Sequence, residues 1–308
     1  MSSNLDQLNS AALHPEALTQ EALHLEQLRQ AANKKQRDEI DFLEQRRGKI
    51  VSHTGGWFPG KGVFTHGYSL LDELVGEKTY MQLLVLQATG RLVDAPLGAW
   101  IEAIYGCLSW PDPRIWCNQI GALAGTSRCS VVAATALGAL AADSRTYGAL
   151  PIVEGVAFIQ TALAQHEGGM TPEEIVLASI PKRNAKPVIV GYKRPIAKGD
   201  ERIAAMERVG HKLGFVEGPH LALAYKIEQV LRRDYDEGMN INGYGSAFMA
   251  DQGFEGQELY QMFALLVASG VTACYRDAYN QPAGAFLPLR CTDIDYLGPP
   301  ARALPLKN

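Results

Sequence analysis

Apolar residues recur at spacings of three and four along most of this 308-residue chain, the period of helices with one buried face. The pattern predicts helices over residues 70–74, 80–90, 95–108, 116–123, 130–142 and 151–165, with punctuation at Pro111, Pro113, Gly125 and Gly148. Small residues crowd the 130–142 segment, as close helix packing requires. Thr171, followed by Pro172, Glu173 and Glu174, reads as a helix start with Thr as N-cap and Pro at the first helical position. Further helices fit residues 200–213, 218–233, 245–252 and 255–267. Period-two alternation is nearly absent. Residues 51–69, rich in glycine around Pro59, read as a short β-hairpin or an irregular loop, and only 187–191 has strand character. From Asn280 onward the chain is proline-rich and loses the helical period. The fold class that follows is all-α.

Residues 1–47 stand apart. Leu8, Leu13, Leu18, Leu25 and Leu28 are loosely periodic, and from Arg29 the segment is dense in charge. A helix is predicted, with Pro15 tolerated in its first turn. It is either a solvated arm or one that wraps around a second subunit.

Composition narrows the function classes. Apolar residues make up 47% and charged residues 20%, so the chain has a core to bury and is not disordered. Twenty-nine Lys and Arg against 33 Asp and Glu give a net charge of −4, without the basic excess that drives nucleic-acid binding. The longest apolar stretch, 131–142, is too short to span a bilayer. The start, MSSNLDQLNS, lacks a secretory pattern, and the expected location is cytoplasmic. Five cysteines with no CxxC pair are expected as free thiols in a reducing compartment.

Three segments carry candidate chemistry. Residues 182–202 hold seven cations (Lys182, Arg183, Lys186, Lys193, Arg194, Lys198 and Arg202) around the apolar turn PVIVGY. Backbone amides and guanidinium groups beside an apolar slot suit a ligand with several anionic groups, and the alternative is a solvated basic loop. In MNINGYGSAF (residues 239–248) the glycines on either side of Tyr244 let backbone approach a ligand, or simply start a helix. In residues 107–128, Trp110, Asp112, Arg114, Trp116 and Asn118 form either a site wall or, for the tryptophans, part of the core. No HExxH, P-loop, GxGxxG or GxSxG motif is present, and no metal is expected.

Five segments taken in order resemble the citrate synthase superfamily, which includes citryl-CoA lyases. They are GVFTHGYSLLDEL, MQLLVLQATGRL, PVIVGYKRPIAKGDER, FALLVASGVTACYRDA and DIDYLGPPARALPL, spread from Gly62 to the C-terminus. The resemblance implies a helical subunit of two lobes, with 48–148 and 246–308 forming the large lobe and 149–245 the small one. It also implies a homodimer that closes over a carboxylic acid and a coenzyme A thioester, with no resident cofactor, no nucleic acid and no membrane partner. The reaction implied makes or breaks a carbon–carbon bond alpha to the thioester, which needs a base and an oxyanion donor.

The residues of that chemistry are altered. Pro151 and Lys193 stand where the family has histidines, Asn242 where it has its aspartate base, and Val267 where it has an arginine. Arg202, nine residues after Lys193, keeps a substrate-binding arginine. An amide at Asn242 cannot take up a proton at neutral pH, so standard citrate synthesis is not expected. The site expected from the resemblance comprises Lys193, Asn242 and Glu154 for catalysis, Glu154 being the replacement base. Arg194, Arg202, Tyr192, Gly191, Tyr244 and Arg114 would hold substrate. Two functions remain: an enzyme with rebuilt chemistry on a CoA thioester or related polyanionic carboxylate, or a non-catalytic homologue that binds a metabolite or supports an assembly.

Overall fold

The computed structural model of the protein describes residues 15–183, 185–194 and 199–304, with side chains from residue 23 onward. Leu8, Leu13, the Leu18 side chain and Lys198 of the basic cluster lie outside these. Two compact units divide the chain between Trp57 and Phe58.

The first unit contains helix α1, described over Pro15–Arg46. Its described residues are almost all exposed, Leu25, Leu28, Ile40 and Leu43 included. Strand β1 (Gly55–Phe58) crosses the boundary.

In the second unit β2 (Gly62–Thr65) pairs antiparallel with β3 (Tyr68–Ser69), Phe64 opposite Ser69. A π-helical turn, Leu70–Leu74, follows. Eleven α-helices follow, α2 (Tyr80–Thr89), α3 (Ala95–Leu108), α4 (Trp116–Thr126), α5 (Val131–Ala142), α6 (Leu150–Glu167), α7 (Pro172–Ala178), α8 (Glu201–Lys212), α9 (Pro219–Tyr235), α10 (Ile241–Asp251), α11 (Gly256–Met262) and α12 (Ala268–Tyr279), and a short 3-10 turn at Cys291–Asp293 completes the described elements. Local chemistry sets their ends. Thr79 with Gln82, and Thr171 with Glu174, close reciprocal capping boxes, while Asp94, Ser130, Asp200 and Asn240 cap with side-chain oxygens.

Small residues bring two helix pairs together. A Cβ on Gly121 of α4 would lie 2.6 Å from the Val271 carbonyl oxygen of α12, and one on Gly155 of α6 would collide with the Ser246 side chain of α10. The main core stacks Trp100 on Phe248, ring centroids 3.9 Å apart, and runs through Val85, Ile159, Met206, Leu223 and Leu266. It therefore draws on residues from both sides of positions 149 and 245.

The helical reading and the hairpin reading of 51–69 match the elements found. Three details differ. Residues 187–191 form no strand, because Gly191 turns the backbone at φ +94° and no neighbouring strand pairs with the segment. Helix α10 starts at Ile241 rather than Gly245, because Asn240 Oδ1 accepts from the amides of Asn242 and Gly243. The 255–267 run ends as α11 at Met262, and a new helix, α12, begins at Ala268.

Candidate ligand-binding cavity

A cavity of about 540 Å³ opens beside the start of α10. The wall is built from the end of α3, the 110–116 loop, the loop before α6, the basic turn at 189–194, Arg202 and one face of α10.

The basic turn is held against the start of α10 by the backbone and side chain of Asn240. The Asn240 amide donates to the Gly191 carbonyl at 2.8 Å, and Asn240 Nδ2 donates to the Lys193 carbonyl at 2.7 Å. Gly191 and Gly243 meet so closely that a Cβ on Gly191 would lie 2.6 Å from Gly243 Cα. Glycine is required at Gly191 on both counts, the contact and the positive φ.

Asp200 is the electrostatic pivot. Its side chain is fully buried and accepts from Arg202 Nε at 2.7 Å, Arg202 Nη2 at 2.5 Å and the Ile241 amide at 2.9 Å. Burial alone would raise its pKa, but the Arg202 hydrogen bonds and charge, with the Ile241 amide, outweigh that and hold the carboxyl below its ordinary value. Arg194 Nη1 lies 3.7 Å from Asp200 and 2.6 Å from Glu201, whose pKa this hydrogen bond holds down to about 2. The Arg202 guanidinium lies 5.1 Å from the Trp110 ring centroid, a cation–π contact. Both arginines are mostly buried, with 14% and 17% of their side chains exposed, and both face the cavity.

These shifts carry a pH dependence. A carboxyl with a depressed folded-state pKa contributes stability above its unfolded value near 4, and that stability is lost as pH falls through the folded pKa. Urea unfolding across pH 2–7 is expected to show an acid limb below about pH 4 that is shallower in Asp200→Asn.

The cationic wall is completed by Arg114, Arg145 and Lys193. Arg114 is clamped by Asp112, whose pKa falls to about 2 through that pairing. Lys193 is 74% exposed and lies 3.8 Å from Glu237. Five cations thus line the cavity, and the wall includes no Asp, Glu or His among the described residues. Asn242 Nδ2 donates to the Pro151 carbonyl at 2.9 Å, which leaves its buried Oδ1 without a partner. Tyr147 also lines the wall, its hydroxyl kept protonated by burial, which raises its pKa to about 12.

The structure brings together Gly191, Lys193, Arg194, Arg202, Asn242 and Arg114, and it separates three other expected residues from them. Glu154 is exposed and does not line the cavity. It lies two positions beyond Ile152, about 200° around α6 from that buried residue. Tyr192 is buried within the core, its hydroxyl donating to the Ala224 carbonyl at 3.2 Å. Tyr244 stacks with Trp100 and Phe248 inside the core. The tryptophan question resolves towards the wall, since Trp110 and Trp116 both line the cavity. Arg145 and Tyr147 were missed. Their one signal was adjacency to the altered stretch YGALPIVEG, because a loop before a helix carries no periodicity.

No protein-family model matches the sequence, and no curated protein sequence does. Solved structures do. The chain is similar to citryl-CoA lyase from Hydrogenobacter thermophilus, with 22% identity over 83% of this chain and 97% of that one and a TM-score of 0.70. The chain has the citrate synthase–citryl-CoA lyase fold. ATP citrate lyase from Methanothrix soehngenii, solved with citrate and coenzyme A, shares the fold at 17% identity and a TM-score of 0.67. That match covers 81% of this chain and 42% of the lyase. Citrate synthase from Thermoplasma acidophilum matches at 15% identity and a TM-score of 0.51, over 74% of this chain and 59% of that one. Among the described residues no helix of this citryl-CoA lyase fold is long and apolar enough to cross a membrane.

Proposed function

We propose that this chain binds a polyanionic carboxylate, a CoA thioester included, in the cavity beside α10, and that it lacks the proton abstraction of citrate synthesis. The observation that carries this reading is the wall itself: five cations line the cavity, while the carboxylates that pair with four of them, Asp112, Asp200, Glu201 and Glu237, do not line it. Two of the five, Arg194 and Arg202, are pre-oriented by Asp200, so little side-chain entropy is lost when they receive an anion. The structural neighbours solved with citrate, coenzyme A or oxaloacetate support the ligand class.

Catalysis is the second reading. Lys193 at the cavity rim can polarise a carbonyl. Glu154, exposed and off the cavity wall, is not proposed as the base of such a reaction. A homodimer is part of the proposal, supported by the exposure of Val132, Leu137 and Leu140 along the apolar helix α5.

The experiment is a thermal-shift and turnover screen with tricarboxylates, CoA and acyl-CoA thioesters paired with oxo acids. Binding with a raised melting temperature and no turnover is expected, unchanged in Glu154→Gln. Turnover would establish the catalytic reading, and the absence of any shift would remove both.

A further inference from the structure

Aromatic and cationic side chains alternate along two loops of the cavity wall. In residues 110–116 the order is Trp110, Arg114 and Trp116, and in residues 145–147 it is Arg145 and then Tyr147. All five line the cavity. The two loops meet through their rings: Trp116 and Tyr147 lie 5.3 Å apart between centroids, edge to face at 68°.

These rings are neighbours of the buried arginines. The Arg202 guanidinium lies 5.1 Å from the Trp110 ring centroid. Burial raises the Tyr147 pKa to about 12, and the nearby Arg202 charge opposes part of that rise. Arg202 in turn shares Asp200 with Arg194.

Of the three rings, Trp116 is the one with surface to spare. Trp110 already carries the Arg202 cation, and the Tyr147 hydroxyl is hydrogen-bonded to the Cys117 side chain. Trp116 is 45% exposed, which leaves a large apolar ring in contact with water. Its loop is fixed from behind. Buried Asn118 donates from Nδ2 to the Trp110 carbonyl at 2.8 Å and to the Asp112 carbonyl at 3.1 Å, and the Asp112 carboxylate accepts from the Arg114 amide at 2.9 Å. A ring held this way is covered by a ligand at little cost in conformational entropy.

A small tricarboxylate engages the arginines and leaves Trp116 in water. A ligand that also carries a ring covers it, and gains from orientation as well as area, because an aromatic ring has a negative face and a positive edge that a saturated ring lacks. Resting on the proposed function, we infer that the preferred ligand is an aryl-substituted polycarboxylate, its carboxylates on Arg194 and Arg202 and its ring against Trp116.

Calorimetry on the full chain with succinate, cyclohexylsuccinate, phenylsuccinate and adenosine 3′,5′-bisphosphate tests this. Phenylsuccinate is expected to bind about tenfold or more tighter than succinate, from the area covered. It is expected to exceed cyclohexylsuccinate, equally bulky but without a π face, by about two- to twelvefold. In Trp116→Leu the ratio of phenylsuccinate to succinate affinity is expected to fall. Equal binding of phenylsuccinate and either other succinate would overturn the inference while leaving the anion-binding proposal intact, and so would a ratio unchanged in Trp116→Leu. Tighter binding of the bisphosphate than of phenylsuccinate would overturn it too, placing a nucleotide on the rings instead. No binding by any succinate would remove the proposed function itself.

Discussion

Arg202→Ala is expected to abolish most ligand binding and to destabilise the protein at once. The guanidinium supplies two hydrogen bonds to Asp200, whose side chain is fully buried. Removing one partner of a buried pair leaves the other charge uncompensated and costs about 3–5 kcal/mol, a large share of the roughly 5–15 kcal/mol that holds a domain together. Arg194, 3.7 Å from Asp200, compensates part of that loss, which places the expected cost near the lower end. Binding loses a charge-assisted hydrogen bond besides, worth about 10- to 100-fold in affinity. Arg202→Lys separates the two effects. The charge remains near Asp200, so stability recovers in urea unfolding. The planar fork that holds Asp200 while facing the cavity is lost, so affinity in calorimetry does not recover fully.

Gly191→Ala is the second large effect. Its new Cβ would lie 2.6 Å from Gly243 Cα and 2.8 Å from the Gly243 nitrogen, both backbone atoms that no rotamer change can move. Its φ of +94° is strained for any L side chain. Together these are expected to cost about 3 kcal/mol or more, read as a lowered urea midpoint at unchanged slope. The damage reaches the site, because the Gly191 carbonyl accepts the Asn240 amide that fixes the basic turn on α10. Gly243→Ala breaks the same contact from the other side, so the double variant is expected to cost less than the sum of the two.

Much of this architecture was legible in the sequence, and for definite reasons. Helices that bury one face leave a 3.6-residue signature, and the cap at Thr171 marks a start by chemistry that acts within three residues. The basic turn was legible because seven cations crowd a chain whose net charge is negative. What periodicity cannot show is orientation about a helix axis relative to a cavity made by other elements. Glu154 looked well placed beside Pro151 in sequence, yet the turn of α6 carries it to the surface. Tyr192 and Tyr244, each beside a glycine that approaches the site, point instead into the core. Arg145 was missed for the converse reason: it reaches the cavity from a loop, where nothing local signals the destination of a side chain.

In the proposed function this citrate synthase-like fold uses its cationic wall to receive polyanionic carboxylates. A crystal structure of the full chain with a tricarboxylate tests it most directly. Carboxylate oxygens are expected within hydrogen-bond distance of the Arg194 and Arg202 guanidinium groups, beside the start of α10. A ligand bound elsewhere, with both arginines still engaged only with Asp200 and Glu201, would contradict it.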